Sequence, residues 1–101
     1  ERFAIAYAGG KFRIKGWGRV KIKYELKQKR VSEYCIKKAL KQIDESNYID
    51  KLTKLAIEKY QSLKAEQYLI RKKKTIDYLV GRGFELDLIN FVISELSPTQ
   101  N

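Results

Sequence analysis

Residues 26–43, LKQKRVSEYCIKKALKQI, and residues 79–96, LVGRGFELDLINFVISEL, carry the same pattern of apolar side chains at one constant spacing along the chain. The matching pairs are Leu26 with Leu79, Val31 with Phe84, Ile36 with Ile89, Ala39 with Val92, Leu40 with Ile93 and Ile43 with Leu96. Within each stretch the apolar positions recur every three or four residues, which is the period of a helix with one buried face. The pattern predicts a helix, a turn and a second helix, occurring twice.

Two amphipathic helix pairs can also align by coincidence, because they share a period. The turns favour duplication, since Lys29-Arg30-Val31 and Arg82-Gly83-Phe84 place a basic residue, a turn residue and an apolar residue at equivalent points. Gly83 has the left-handed freedom expected just past a helix end, and Arg30 lacks it. Ser32 is predicted to cap the helix that follows the first turn.

A further helix is predicted ahead of each pair. Phe3, Ala4 and Tyr7 indicate a short helix that Gly9-Gly10 should end, and an apolar face between residues 52 and 60 indicates its counterpart. Each three-helix unit alone leaves an apolar face uncovered, so the two should stack. The predicted fold is all-α, a right-handed, elongated array of two tandem three-helix repeats, with units at 1–47 and 48–97 and a disordered tail at 98–101.

The composition agrees with one small helical protein. The chain has 101 residues, of which 44% are apolar and 34% charged, with six Gly and one Pro. It has no His, and its single cysteine, Cys35, cannot form an internal disulfide, so neither a metal site nor a cofactor is predicted. No stretch approaches the apolar length of a membrane span, so a cytoplasmic location is expected. Because the chain starts at Glu1 without Met, it is interpreted as a possible fragment.

Two runs resemble the RecX family. Residues 16–31, GWGRVKIKYELKQKRV, are similar to its pattern of Gly-aromatic-Gly, a basic-Ile pair, Glu-Leu and basic-Gly-apolar, although Arg30 stands at the usual Gly. Residues 78–84, YLVGRGF, followed by Ile89, are similar to the close of its last repeat. The resemblance implies the middle and last units of a crescent of three. It also implies a regulator, without chemistry of its own, that binds the RecA filament on DNA and suppresses strand exchange and coprotease activity.

Positive charge is concentrated in the first unit. The net charge is +10, and most of it lies before residue 48. Such clusters, interleaved here with Phe12, Trp17 and Tyr24, are typical of phosphate-binding surfaces, although a solvated helical face would look the same. The candidate partner-binding or DNA-binding residues are Lys11, Arg13, Lys15, Arg19, Lys21, Lys23, Lys27, Lys29 and Arg30 in the first cluster, Arg71, Lys72, Lys73 and Lys74 in the second, and Arg82.

No catalytic residues are predicted. Asp44, Glu45, Asp77 and Glu85 are interpreted as isolated acids that cap helices or face helix dipoles. Most tyrosines, Tyr48 among them, are expected at the edge of the core with hydrated hydroxyls. Trp17 is predicted to pack at a helix start, an exposed ring being the alternative, and Cys35 to be a buried, inert thiol.

Two other functions remain open beside RecA regulation. A helical module could bind DNA without RecA, with a helix-turn-helix built around the turn at residues 29–32. A helical-repeat adaptor could instead hold an unrelated acidic protein. In each case a monomer is expected.

Overall fold

The computed structural model describes residues 1–96 and contains six α-helices in that part of the chain. The tail predicted at residues 98–101 lies outside the described residues. The helices are α1 (Arg2–Gly10), α2 (Arg19–Gln28), α3 (Glu33–Lys41), α4 (Glu45–Ser62), α5 (Tyr68–Gly81) and α6 (Leu86–Leu96). α1 and α2 both pack against α3, and α4, α5 and α6 pack against one another. The predicted all-α fold of two tandem three-helix units is therefore confirmed.

α1 ends at Gly10, as Gly9-Gly10 predict, but the helical path of the chain does not end there. The chain continues from α1 into π-helical turns at Lys11–Lys15 and leaves the helix only at Gly16, whose φ is 69°. A glycine inside a helix costs about 1 kcal/mol relative to alanine. Burial of Ala4, Ala8 and Phe12 along one face outweighs that penalty.

The two predicted turns have the same backbone geometry. In the first, the N–H groups of Arg30 and Val31 donate to the carbonyls of Lys27 and Leu26. In the second, those of Gly83 and Phe84 donate to the carbonyls of Val80 and Leu79. Both are Schellman caps, which close a helix through a left-handed residue. Gly83 takes that conformation with φ 97°, and Arg30 takes it too, with φ 63°, in spite of its side chain.

α3 and α4 each begin with a side-chain cap. The Ser32 hydroxyl accepts a hydrogen bond from the N–H of Cys35 at 3.2 Å, as predicted. The Asp44 carboxylate accepts one from the N–H of Asn47 at 3.0 Å, which confirms its capping role. Each cap satisfies a backbone donor that the first turn leaves free.

One continuous core runs through both units, and all twelve residues of the six matched pairs are buried or half-buried. Three aromatic rings in contact join the two units: Phe12 stacks on Tyr48 with 5.7 Å between centroids, and Phe84 lies tilted against Tyr48 at 5.3 Å. The molecule is elongated, with extents of 48 × 24 × 21 Å. On α5 the apolar Leu69 lies exposed, and Thr75 is buried with its hydroxyl bonded to the carbonyl of Arg71.

Candidate functional site

The outer surface of the first unit is built largely on α2. Ile22 and Leu26 are fully buried, and each residue turns the helix by about 100°. Val20 and Tyr24 therefore lie on the opposite, solvent-facing side, where they are 54% and 58% exposed. Lysines of the predicted first cluster flank this side, so α2 presents a basic face to solvent.

Three of these lysines gather around two aromatic rings. The Lys11 ammonium lies 5.3 Å from the ring centroid of Tyr7 and 4.9 Å from that of Trp17. The Lys21 ammonium lies 4.8 Å from the Trp17 centroid, and that of Lys29 lies 5.4 Å from the Tyr7 centroid. Such cation–π contacts hold an ammonium group near a ring without neutralising it. We call these five residues the lysine–aromatic cluster.

The lysine–aromatic cluster keeps its positive charge. Within residues 1–96, none of Lys11, Lys21 and Lys29 forms an ion pair with a carboxylate. Glu25 lies four residues from both Lys21 and Lys29, so it shares a helix face with them. Burial raises the pKa of Tyr7, and the negative charge of Glu25 raises it further. One carboxylate beside three ammonium groups leaves the cluster with a positive excess.

Other residues of the first predicted cluster are spread over the unit. Lys23 and Lys27 lie exposed on α2, with the Lys27 ammonium 3.8 Å from the Glu33 carboxylate. Arg30 is exposed at the left-handed turn position. Arg13 and Lys15 are exposed on the π-helical turns, and their carbonyls accept hydrogen bonds from Lys51 and Arg82 of the second unit.

Arg19 takes part in the joint between the units. Its guanidinium bonds to the Glu85 carboxylate at 2.7 Å and to the Glu45 carboxylate at 3.0 Å. The Tyr48 hydroxyl accepts a hydrogen bond from the Arg19 N–H at 2.8 Å and donates one to Glu85 at 2.5 Å. Glu45 lies in the first turn of α4, as its interpretation as a helix-dipole acid predicts, but neither it nor Glu85 is isolated, because both pair with Arg19.

Burial and close partners shift the pKa values of Arg19 and Tyr48 in this joint. Burial opposes the charge of Arg19, but the hydrogen bond to Glu45 and the charge of Glu85 outweigh it, so the pKa of Arg19 is raised. Burial also raises the pKa of the Tyr48 hydroxyl far above its ordinary value, and its hydrogen bond to Glu85 adds to the rise. The prediction of a hydrated Tyr48 hydroxyl is wrong, since that residue is fully buried.

Arg82 belongs to the same joint. Its guanidinium donates to the Lys15 carbonyl and lies over Gly16, where a Cβ would come within 2.7 Å of it. The carbonyls of Arg82 and Gly83 in turn accept hydrogen bonds from the N–H groups of Gly18 and Val20, both at 2.8 Å. The first turn of α2 therefore finds its backbone acceptors in the second unit.

The second predicted cluster does not form one surface. Arg71 donates from its guanidinium to the Tyr60 carbonyl at 2.8 Å and lies over the Tyr60 ring. Lys73 pairs with Asp77 at 2.8 Å, and Lys74 pairs with Glu66 at 3.0 Å. Lys72 lies 6.0 Å from the ring centroid of Tyr68. Much of the charge of this cluster is thus balanced by neighbours in its own unit.

Trp17 is neither fully packed in the core nor fully exposed, and Cys35 is less buried than predicted. Trp17 is half-buried against the core, and ammonium groups approach its ring. Cys35 is half-buried and packs against the same core. The pairing of Trp17 with Lys21 and of Tyr7 with Lys11 follows a four-residue spacing, a signal that could have identified the lysine–aromatic cluster from the sequence.

Within residues 1–96, no group of His, Cys, Asp and Glu side chains is arranged to hold a metal ion. Over the same residues, no helix is both long and apolar enough to cross a bilayer.

Two three-helix units that share one core define a helical-repeat protein. The models of the second and third three-helix domains of RecX match residues 1–40 and 45–93. The chain belongs to the RecX family, as its sequence motifs predicted.

Curated relatives agree with this assignment. Proteins named Regulatory protein RecX from Clostridium perfringens strain 13 and Clostridium acetobutylicum are 34% and 33% identical to the chain, over 99% and 100% of it and 47% and 48% of their own lengths. One from Chlorobium phaeobacteroides is 31% identical over 93% of the chain and 60% of its own length. The chain thus spans about half the length of the first two relatives. No solved structure matches it.

Proposed function

We propose that this chain is part of a regulator that binds the RecA filament on DNA and inhibits its recombinase and coprotease activities. Membership of the RecX family, through two adjacent domains, carries the proposal. The proposed action is binding without chemistry, in the cytoplasm and as a monomer.

The first unit supports this function better than the second. Its sequence holds most of the net charge, and the ammonium groups of Lys11, Lys21 and Lys29 stay free of carboxylates within residues 1–96. A filament that carries DNA presents phosphates, to which uncompensated ammonium groups are attracted over roughly 10 Å at ordinary salt. The first unit is therefore the proposed contact surface.

The test is a titration of the full-length natural protein into RecA assembled on single-stranded DNA, with ATP hydrolysis and strand exchange as readouts. Inhibition at substoichiometric amounts is expected, because a bound regulator that blocks filament growth acts on many RecA subunits. Absence of inhibition at every ratio would contradict the proposal. The same titration with residues 1–101 measures how much of the activity these two units carry.

Charge reversal on α2 tests the contact surface. The double substitution Lys21→Glu and Lys27→Glu is expected to weaken binding to RecA–DNA filaments while leaving helicity, measured by circular dichroism, unchanged. Lys27 is exposed, and the ammonium group of the half-buried Lys21 lies over the Trp17 ring, so neither charge is part of the apolar core. Unchanged binding would remove this surface from the proposed interface.

The second candidate is a helical module that binds DNA without RecA. The free lysines of the first unit favour it, since phosphate contacts alone supply most non-specific affinity. Steep salt dependence of DNA affinity, combined with no effect on RecA at any ratio, would select this function over the first.

A further inference from the structure

We propose that the lysine–aromatic cluster is a binding site for the phosphate backbone of a nucleic acid, with single-stranded DNA as the ligand. This assignment rests on the proposed function, because it names the chemistry that one part of the basic surface recognises. The cluster consists of Tyr7, Lys11, Trp17, Lys21 and Lys29.

The spacing of the ammonium groups fits a nucleic-acid strand. Lys11 and Lys21 both lie within 5 Å of the Trp17 centroid, at 4.9 and 4.8 Å. Their ammonium groups are thus separated by no more than about 10 Å, the axial span of about three nucleotides in one strand of a duplex. Lys29 extends the row past Tyr7, which Lys11 also contacts. The three ammonium groups therefore lie close enough together to contact phosphates of one short stretch of strand.

The rings prepare the lysines for binding. A free lysine loses up to about 2 kcal/mol of side-chain entropy when it is immobilised. Lys11 and Lys21 are already half-buried against rings, so less freedom remains to be lost when a phosphate binds. Tyr7 and Trp17 are only half-buried, so the accessible part of each ring can also stack on a base. An acidic protein surface would use the charges but not the rings, and for this reason we favour a nucleic acid.

Three arginines of the predicted clusters do not extend this site, because their guanidinium groups are already bound within the protein. Arg19 is held by Glu45 and Glu85, and Arg82 by the carbonyl of Lys15. The guanidinium of Arg71 binds the Tyr60 carbonyl. These arginines hold the fold together, whereas the three lysines of the cluster have no carboxylate partner in the described chain.

The test measures binding of oligothymidylate to the 101-residue chain in the absence of RecA. Trp17 is the single tryptophan of the sequence, so its fluorescence reports directly on the cluster. The triple variant Lys11→Gln, Lys21→Gln and Lys29→Gln is compared with Lys54→Gln, Lys64→Gln and Lys72→Gln. The control removes the same charge, and its three lysines also lack a carboxylate partner within residues 1–96.

The cluster variant is expected to bind about tenfold or more weakly at about 50 mM salt, and its slope of log affinity against log salt should shrink by about 2. Oligothymidylate should change the Trp17 fluorescence of the natural chain and of the control variant. Equal weakening in the two triple variants would overturn the proposal, because net charge alone would then explain binding. Circular dichroism establishes that both variants are folded.

A second arm distinguishes DNA from protein as the ligand. If the cluster variant keeps its affinity for oligothymidylate but loses binding to RecA filaments, the cluster contacts protein and the proposal is wrong. Because the oligothymidylate assay contains no RecA, the inference can succeed when RecA inhibition fails. Conversely, inhibition of RecA by the cluster variant at wild-type potency, with oligothymidylate binding lost, would leave the proposed function intact and the DNA site confirmed.

Discussion

The backbone of Gly18 lies so close to that of Gly83 that a Cβ on Gly18 would come within 2.4 Å of the Gly83 carbonyl oxygen. Gly83 is equally confined, since a Cβ on it would meet the Cβ of Lys21 at 2.3 Å. The close approach lets Arg82 and Gly83 accept hydrogen bonds from the first turn of α2. The joint between the units thus depends on two glycines that are distant in sequence.

Gly83→Ala is expected to lower the free energy of unfolding by about 2–5 kcal/mol. The left-handed backbone contributes about 1–2 kcal/mol and the clash with Lys21 about 1–3 kcal/mol. Urea denaturation measures the change. The control is Gly10→Ala, which lies in a helix with open space around its Cβ and should gain about 0.5–1 kcal/mol. Equal stability of the two variants would argue against the close joint.

Arg30→Gly is expected to stabilise the protein by up to about 1 kcal/mol. Relief of the left-handed strain exceeds the extra chain entropy that glycine brings to the unfolded state. Arg30→Ala removes the same charge but keeps the strain, so it should give no such gain. A gain of the same size in both variants would assign the effect to charge. Thermal or urea unfolding of the three proteins provides the comparison.

Tyr48→Phe is expected to destabilise the protein by about 1–3 kcal/mol. The change leaves the half-buried backbone N–H of Arg19 without its acceptor and removes one of the two donors of the Glu85 carboxylate, which keeps only the Arg19 guanidinium. Tyr34→Phe is the matched control, because Tyr34 is 68% exposed and its loss should stay within about 0.5 kcal/mol. A neutral Tyr48→Phe would mean that water replaces the hydroxyl at no penalty.

The raised pKa of Tyr48 predicts a loss of stability in alkali. The unfolded chain releases this proton near the ordinary value of 10.0, whereas the folded chain retains it. The stability that the protonated Tyr48 hydroxyl gives the folded state is therefore fully present below about pH 10 and is lost as the pH rises through the folded pKa. The urea midpoint should fall more between about pH 9 and pH 11 for the natural protein than for Tyr48→Phe. Using Tyr48→Phe as the reference cancels the ionisation of lysines and of Tyr7.

Leu26→Ala and Leu79→Ala are each expected to cost about 2–5 kcal/mol. Both side chains are fully buried at equivalent points before the two Schellman caps, so the losses should be similar. Leu69→Ala serves as the control, since Leu69 is 69% exposed and should change stability by less than about 0.5 kcal/mol. A near-neutral result at one leucine alone would show that the two units are not equivalent in packing.

The helix pairs and their turns were predictable because their signals are local. A buried stripe repeats every three or four residues, and a cap such as Ser32 lies beside the helix it serves. The π-helical continuation of α1 at Lys11–Lys15 was not predictable in this way, because it accompanies the packing of Phe12 against Tyr48, which is distant in sequence. Arg30 likewise takes a conformation that its residue type disfavours, since the closing of α2 demands it.

For the candidate site, the sequence by itself determined that positive charge gathers in the first unit, because charge is a property of composition. Only the tertiary structure decided which cations are free. Arg19 on α2 meets Glu45 on α4 and Glu85 beside α6, whereas Lys11, Lys21 and Lys29 meet the rings of Tyr7 and Trp17. A side chain's partner depends on how distant segments pack, and the periodicity of apolar residues along one helix does not determine that packing.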